Sequence, residues 1–316
     1  MTREKRIIGL SAIIVAALAL LPFVPGAADS YLFFLLYLFF LYTIIGQAWN
    51  LVAGYTGQIS LGQHAFFGLG AYTAALVWSR GLFGAEHVYY FDPLTLIASG
   101  LVAAAFALVI GFPLLSKLRG DYFALGTLGF GEIVRVAFVK GGSYTGGPFG
   151  IVLPSSLYES LRPHYWLGLG LAAGLTLLIF WIRRSSLGLA LVAIRDDEMA
   201  ASSNGVNVLK YKLVAFALGA FFTGMAGCLQ AYYLFHVSPE GFLNLNWTLY
   251  PILIAVIGGS GTVLGPVIGA LAVTVVFSYA NIFFPELHPI FSGLAIILVM
   301  LFMPNGIMRL RFRGRA

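Results

Sequence analysis

The feature that most constrains this chain is a succession of apolar blocks, each near the length needed to cross a bilayer and separated by short polar turns. About 20 apolar residues in a helix cover the hydrocarbon core, with a usual range of about 17–25. Ten such stretches are legible, at 7–24, 31–53, 64–78, 94–115, 121–139, 165–182, 211–234, 247–258, 262–284 and 288–303. Only 9% of the 316 residues are charged. Soluble domains carry about 25%, so no part of the chain has the polar surface of a water-soluble unit. The sequence predicts an all-α, polytopic transmembrane bundle of about ten spans, forming one membrane domain over 1–316. The third and eighth stretches are short, and short spans can be broken helices whose irregular ends are buried in protein.

Charge fixes an orientation. With the N-terminus in the cytoplasm and alternating spans, the inner segments hold Arg3, Lys5, Arg6, Lys117, Arg119, Arg183, Arg184, Arg195, Lys210, Lys212, Arg309, Arg311, Arg313 and Arg315. The outer segments hold Arg80, Lys140 and Arg162. Fourteen of the 18 Lys and Arg residues thus fall inside and three outside, the asymmetry of the positive-inside rule, with both termini cytoplasmic. Stretch 121–139 carries Asp121, Glu132 and Arg135 and could lie on the surface as an amphipathic helix, but removing it reverses this bias, so it is kept as a span. The first stretch, with basic residues before it and Pro-Gly-Ala-Ala at 25–28, also fits a signal peptide. Its length, and the membrane-embedded chain that follows, favour a retained first helix.

Several function classes are excluded or left unsupported. The net charge of +6 comes from short basic clusters between apolar blocks, which argues for membrane orientation and against nucleic acid. Cys228 stands alone within an apolar block. His87, His164, His236 and His288 lack metal-like spacing and are expected to be solvated or interfacial near outer span ends, so no metal site is expected. The Gly-rich run Gly258-Gly-Ser-Gly261-Thr-Val-Leu-Gly265 lacks the lysine of a phosphate-binding loop and reads as a tight turn. No nucleophile–base pattern is legible, so the chain is not expected to be an enzyme or to bind a cofactor itself. Gly170/Gly174 and Gly265/Gly269 are read as close helix contacts.

Two polar constellations fall at membrane depth. Gln47, Asn50, Gln58, Ser60, Gln63 and His64 surround the second and third stretches, with Gly54 and Gly57 able to turn the backbone between them. Such groups are costly in lipid unless partnered, so they mark either a translocation path or helix–helix hydrogen bonding. Glu132 and Arg135, three apart on one helical face, are expected to pair, with gating or substrate contact as the functional alternatives. Gly54-Tyr-Thr-Gly57 and Gly258-Gly-Ser-Gly261 share a spacing, and both fall in inner turns, as two halves of an internal repeat would.

The polar loop 183–212 is the most informative segment. Residues Ala193 to Gly205 read as one short helix, with Arg195, Asp196, Asp197 and Glu198 near its start and Asn204-Gly205 as its stop. Ala200 and Ala201 make it thin enough to enter a groove on a cytoplasmic partner. Glu198-x-Ala200-Ala201-x3-Gly205 resembles the "EAA" loop of bacterial ABC-importer permeases, with Met199 where the general pattern has alanine. The string RSSLGLALVAIRDDEMAASSNGVNVLKYKLVAFALGAFFTGMAG (184–227) resembles LivM-type permeases of branched-chain amino acid importers. So do GYTGQISLGQHAFFGLGAYTAAL (54–76), RGDYFALGTLGFGEIVR (119–135) and TGGPFGI (145–151).

The resemblance implies a permease subunit in the bacterial inner membrane, paired with a second, LivH-type permease. It further implies two ATP-binding subunits that hold ATP and Mg, and an extracytoplasmic solute-binding protein. The implied cargo is leucine, isoleucine and valine, with urea, amides or other amino acids as the range of related permeases. The rival class is an ion-gradient-driven transporter or channel, for which only Glu132 and Arg135 offer intramembrane charges.

Overall fold

The computed structural model describes residues 13–24, 31–79, 93–153, 160–283, 293–294 and 306–310. The helices are α1 (Ile13–Phe23), α2 (Tyr31–Trp49, continued as a π-helical turn, Asn50–Gly54), α3 (Gln63–Ser79), α4 (Pro93–Lys117), α5 (Asp121–Lys140), α6 (Arg162–Arg184), α7 (Ser186–Asp196), α8 (Glu198–Ser203), α9 (Val208–Leu234), α10 (Pro239–Phe242), α11 (Asn246–Gly258), α12 (Gly265–Phe283) and α13 (Gly306–Leu310). The strands β1 (Ile151–Val152) and β2 (His236–Val237) form one short antiparallel pair. Among the described residues, six segments are long and apolar enough to cross a membrane: Tyr31–Gly54, Pro93–Lys117, Asp121–Lys140, Arg162–Arg184, Val208–Leu234 and Pro239–Gly258. Most of the tenth stretch of the sequence reading, 288–303, and the start of the first lie outside the described residues.

Helix α9 is the centre of the bundle. It packs against α3 and α4 along much of its length, with α2 and α6 beside it. Its buried positions are mostly small, including Ala215, Gly219, Ala220, Gly224, Ala226, Gly227 and Ala231. Small residues let helix backbones approach where lipid removes any hydrophobic drive to associate. A side-chain carbon at Gly70 would overlap the Gly224 carbonyl, and one at Gly227 would overlap that of Phe67. Gly170 and Gly174, which the sequence suggested as packing positions, face open space instead, whereas Gly269 does abut the Ile254 carbonyl. Their spacing is shared by any exposed helix face, and only the neighbours distinguish the two cases.

Helices α4 and α5 form an outer layer. Val109 and Phe112 on α4, and Tyr122, Leu125 and Ile133 on α5, are more than half exposed. So broad an apolar surface suits contact with lipid or another subunit rather than water. His164, expected to be solvated or interfacial, is fully buried, and one ring nitrogen lies 2.9 Å from the Tyr232 carbonyl oxygen. Its place between α2 and α9 could not be read from a position near a span end.

Each of the two short stretches is itself an unbroken helix, α3 over 64–78 and α11 over 247–258, and the irregular backbone lies just before it. Before α11 the chain makes one turn of helix in α10, bends at 243–245, and restarts with the Asn246 amide donating to Asn244 Oδ1 at 2.9 Å. The irregular piece is covered at one end only: Leu243 is buried, as is Phe242 before it, which stacks on Phe67, whereas Leu245 is exposed. Before α3, residues 57–62 are non-helical; Gln58, Ser60 and Gly62 within them are buried, Leu61 is partly covered, and Gly57 and Ile59 are exposed. Irregular backbone at membrane depth is tolerated where protein covers it.

Candidate functional site: a docking loop tied to two glycine turns

The segment Ala193 to Gly205, expected as one short helix, is divided between two: the end of α7, which begins at Ser186, and the whole of α8. Helix α7 ends at Asp196, and Asp197 takes an extended backbone and caps α8, its Oδ1 accepting from the Met199 and Ala200 amides at 2.9 Å each. In a run of Asp-Asp-Glu, an aspartate serves equally well as a first-turn acid or as a cap. The cap wins here because it satisfies two amides that a break leaves open.

The stop is where the sequence placed it. Gly205 adopts a left-handed φ of +83°, its amide donates to the Ser202 carbonyl at 3.0 Å, and the Val206 amide donates to that of Ala201 at 3.1 Å. That pair of bonds closes a Schellman turn. Ala201 is buried beneath the hairpin while Met199 and Ala200 face outward.

Three charged contacts fasten this hairpin to the bundle. Lys212, at the base of α9, has its side chain 1% exposed and its Nζ 2.7 Å from Glu198 Oε2. Arg119, in the turn before α5, approaches the other Glu198 oxygen at 3.8 Å from a largely exposed position. Arg195 is held by Asp196 Oδ1 at 3.1 Å and donates from Nη1 to the Gly54 carbonyl at 3.1 Å. The sequence reading placed Lys212 only among orienting charges. Its structural role was hidden because its partner lies fourteen residues away across a turn, beyond any helical spacing.

The Arg195 contact leads into the polar cluster. Asn50 donates to the Thr262 carbonyl at 3.0 Å and accepts from the Gly261 amide at 2.8 Å, and Gln47 donates to the Val263 carbonyl at 2.7 Å. The turns at Gly54–Gly57 and Gly258–Gly261 are therefore stitched together, with Arg195 laid over the seam. A side-chain carbon on Gly261 would come within 2.6 Å of Arg195 Nη1 and 2.8 Å of the Gly54 carbonyl. Tyr55, buried at this seam, has its hydroxyl pushed up to about 12 by burial, against the pull of Arg183 and Arg195, and so stays neutral.

The rest of the cluster joins further elements. The Ser60 carbonyl accepts from Trp49 Nε1 at 2.9 Å, and the Gln58 amide approaches Thr56 Oγ1 at 3.4 Å. Gln63 donates to Thr223 on α9, and the His64 amide donates to Thr248 Oγ1 on α11 at 3.0 Å. The structure thus gathers Gln47, Asn50, Gly54, Gln58, Ser60, Gln63 and His64 into one buried joint among α2, α3, α9 and α11, with Gly57 exposed at its edge. These are the bonds that the helix–helix reading of the cluster expects.

Glu132 and Arg135 form the expected pair, at 2.9 Å and about two-fifths exposed. They lie away from the hairpin, half-way along α5, and with Glu240, Asn244 and Leu245 line a cavity of about 200 Å³. Glu240 and Asn244 were not singled out by sequence, because nothing local reveals that the bend after α10 folds back against α5. Among the described residues, no group of three or more His, Cys, Asp or Glu is placed to hold a metal.

Comparison with known proteins agrees with this architecture. The sequence profile of the branched-chain amino acid transport system permease component family matches residues 31–300. The high-affinity branched-chain amino acid transport system permease protein LivM of Salmonella typhimurium is 34% identical over 298 residues, covering 85% of this chain and 68% of that protein. The LivM of Escherichia coli is similar to the same extent. The permease protein LivH of the Escherichia coli system is 31% identical over 137 residues, 43% of this chain and 44% of LivH. No solved structure matches. With most of its length matched by the profile and by relatives above 30% identity, the chain belongs to the family of branched-chain amino acid transport system permease components.

Proposed function

We propose that this chain is the LivM-type permease subunit of an ABC importer that moves branched-chain amino acids, or closely related small solutes, into the cytoplasm. ATP is hydrolysed on two partner subunits, a LivH-type permease completes the membrane unit, and an extracytoplasmic binding protein delivers the solute. The chain sits in a bacterial inner membrane, crosses it about ten times and keeps both termini inside, in line with the bias of its basic residues.

The observation that carries this reading is the path from α8 to the glycine seam. Ala200 and Met199 form the outward face for an ATPase groove. Asp197 and Gly205 fix the two ends of α8, and Glu198 and Lys212 anchor its base. Displacement of the hairpin is passed by Arg195 to the Gly54 carbonyl, and by Asn50 across to the Gly258–Gly261 turn. Helices α2 and α11, which those turns terminate, then move as one unit against α9. The buried polar cluster is the hinge of that motion, so its glycines and amides serve the path by moving its walls.

The test is reconstitution of the chain with its partner subunits in proteoliposomes. The reading requires leucine uptake that depends on ATP and is stopped by vanadate. Gly205→Pro and Ala200→Trp should leave the membrane domain folded but abolish uptake. Leucine movement driven by an ion gradient without partners would refute the reading, as would normal uptake by both variants.

A further inference from the structure

A pair of opposite charges half-way along an apolar helix is an unusual surface. Glu132 lies eleven residues from the start of α5, about 16 Å along its axis, and eight from its end at Lys140. Its side chain and that of Arg135 remain 45% and 41% exposed, on a helix whose neighbouring residues Ile133 and Val136 are exposed and apolar. Ionised groups at that depth do not face hydrocarbon; they face water-filled cavities or one another, and they mark solute pathways.

The pair does not stand alone. The bend between α10 and α11 brings Glu240, Asn244 and Leu245 against it, enclosing about 200 Å³. That is below the roughly 300–1,000 Å³ of sites for drug-sized ligands, and suits a solute of few heavy atoms. The lining holds one guanidinium, two carboxylates, one amide and one apolar side chain. A guanidinium offers paired donors to a carboxylate, and carboxylates accept from an ammonium. The lining chemistry therefore complements a zwitterion with a short apolar side chain.

We propose that this cavity is a transient substrate site of the permease itself, in which Arg135 takes the carboxylate of an amino acid, Glu132 and Glu240 take its ammonium, and Leu245 borders its side chain. The proposal rests on the importer reading and adds to it a site of charge selection inside the membrane unit. The bend at 243–245 also joins the site to the motion described above. It directly precedes α11, whose far end is the Gly258–Gly261 turn, so movement of that turn changes the distance between Asn244 and the α5 pair.

The experiment uses the fully assembled importer in proteoliposomes, with Leu245→Cys as a reporter. Cys228, the one cysteine of this chain, is fully buried, which leaves position 245 as this chain's accessible thiol, and the partner subunits are used in cysteine-free form. L-Leucine is expected to slow modification by a polar thiol reagent, by about tenfold at ten times the half-protecting concentration. Leucinol lacks the carboxylate and 4-methylpentanoate lacks the amine, so neither should protect, and Arg135→Gln should abolish protection by leucine. No protection by leucine overturns the proposal, and equal protection by the two analogues overturns the charge assignment. If Leu245→Cys does not assemble, Asn244→Cys carries the same test. Leucine uptake by the unaltered importer, measured in parallel, tests the importer reading separately: its failure removes that reading whatever happens at position 245.

Discussion

Replacing Glu198 by alanine probes the anchor of the docking hairpin, and its cost can be worked from the geometry. Lys212 is 1% exposed, with its Nζ 2.7 Å from the Glu198 carboxylate, so truncation strands a buried ammonium. Breaking a fully buried ion pair costs about 3–5 kcal/mol. Here the carboxylate is 25% exposed and the Arg119 contact is largely solvated, so water screens part of the attraction and about 2 kcal/mol is the better figure. The loss falls on the local opening of α8 rather than on the whole bundle. Backbone amides of Ala201 and Val206 should then exchange with solvent about 30-fold faster, since each 1.4 kcal/mol is a factor of ten. Adding Lys212→Met removes the stranded charge and should recover most of the protection. Exchange unchanged by Glu198→Ala, or a double variant as labile as the single one, would refute the reasoning.

The remaining predictions concern the hairpin's ends, its lever and the bundle core. Gly205→Ala places a side chain at φ +83°, costing about 1–2 kcal/mol, and should release the Val206 amide. Asp197→Ala removes the α8 cap for about 1 kcal/mol and should release the Met199 and Ala200 amides, whereas Asp197→Asn should hold them. Arg195→Ala should leave ATP hydrolysis intact but lower leucine uptake per ATP by about tenfold, the loss of one charge-assisted hydrogen bond; unchanged stoichiometry would remove Arg195 from the lever. Gly227→Val overlaps the Phe67 carbonyl and should cost about 3 kcal/mol or more, seen as loss of folded protein from the membrane. Gly170→Val, facing open space, should accumulate normally.

Particular residues show what the sequence carried and where it was silent. Hydropathy located the helices because apolar length is itself the requirement for crossing a bilayer. Gly205 was legible as a stop, and Glu132–Arg135 as a pair, because both depend on spacing within one helix. The break at Asp197 was not legible, since aspartate fits both the cap and the first turn. Lys212, His164 and the Glu240–Asn244 wall were missed for a shared reason: each owes its role to an element distant in sequence. The two glycine turns are an intermediate case. Their common spacing was visible, but their contact through Asn50 and Arg195 exists only once α2, α7 and α11 are packed together.

The claim on which the functional account stands is that the outward face of α8 meets a nucleotide-hydrolysing subunit. A photo-cross-linking residue at Met199, which is 68% exposed, tests it directly in the assembled importer. The account predicts an adduct with the ATP-hydrolysing subunit, formed on the cytoplasmic side and altered in yield as ATP binds. Absence of that adduct, or labelling of position 199 by a membrane-impermeant reagent from outside the cell, would contradict it.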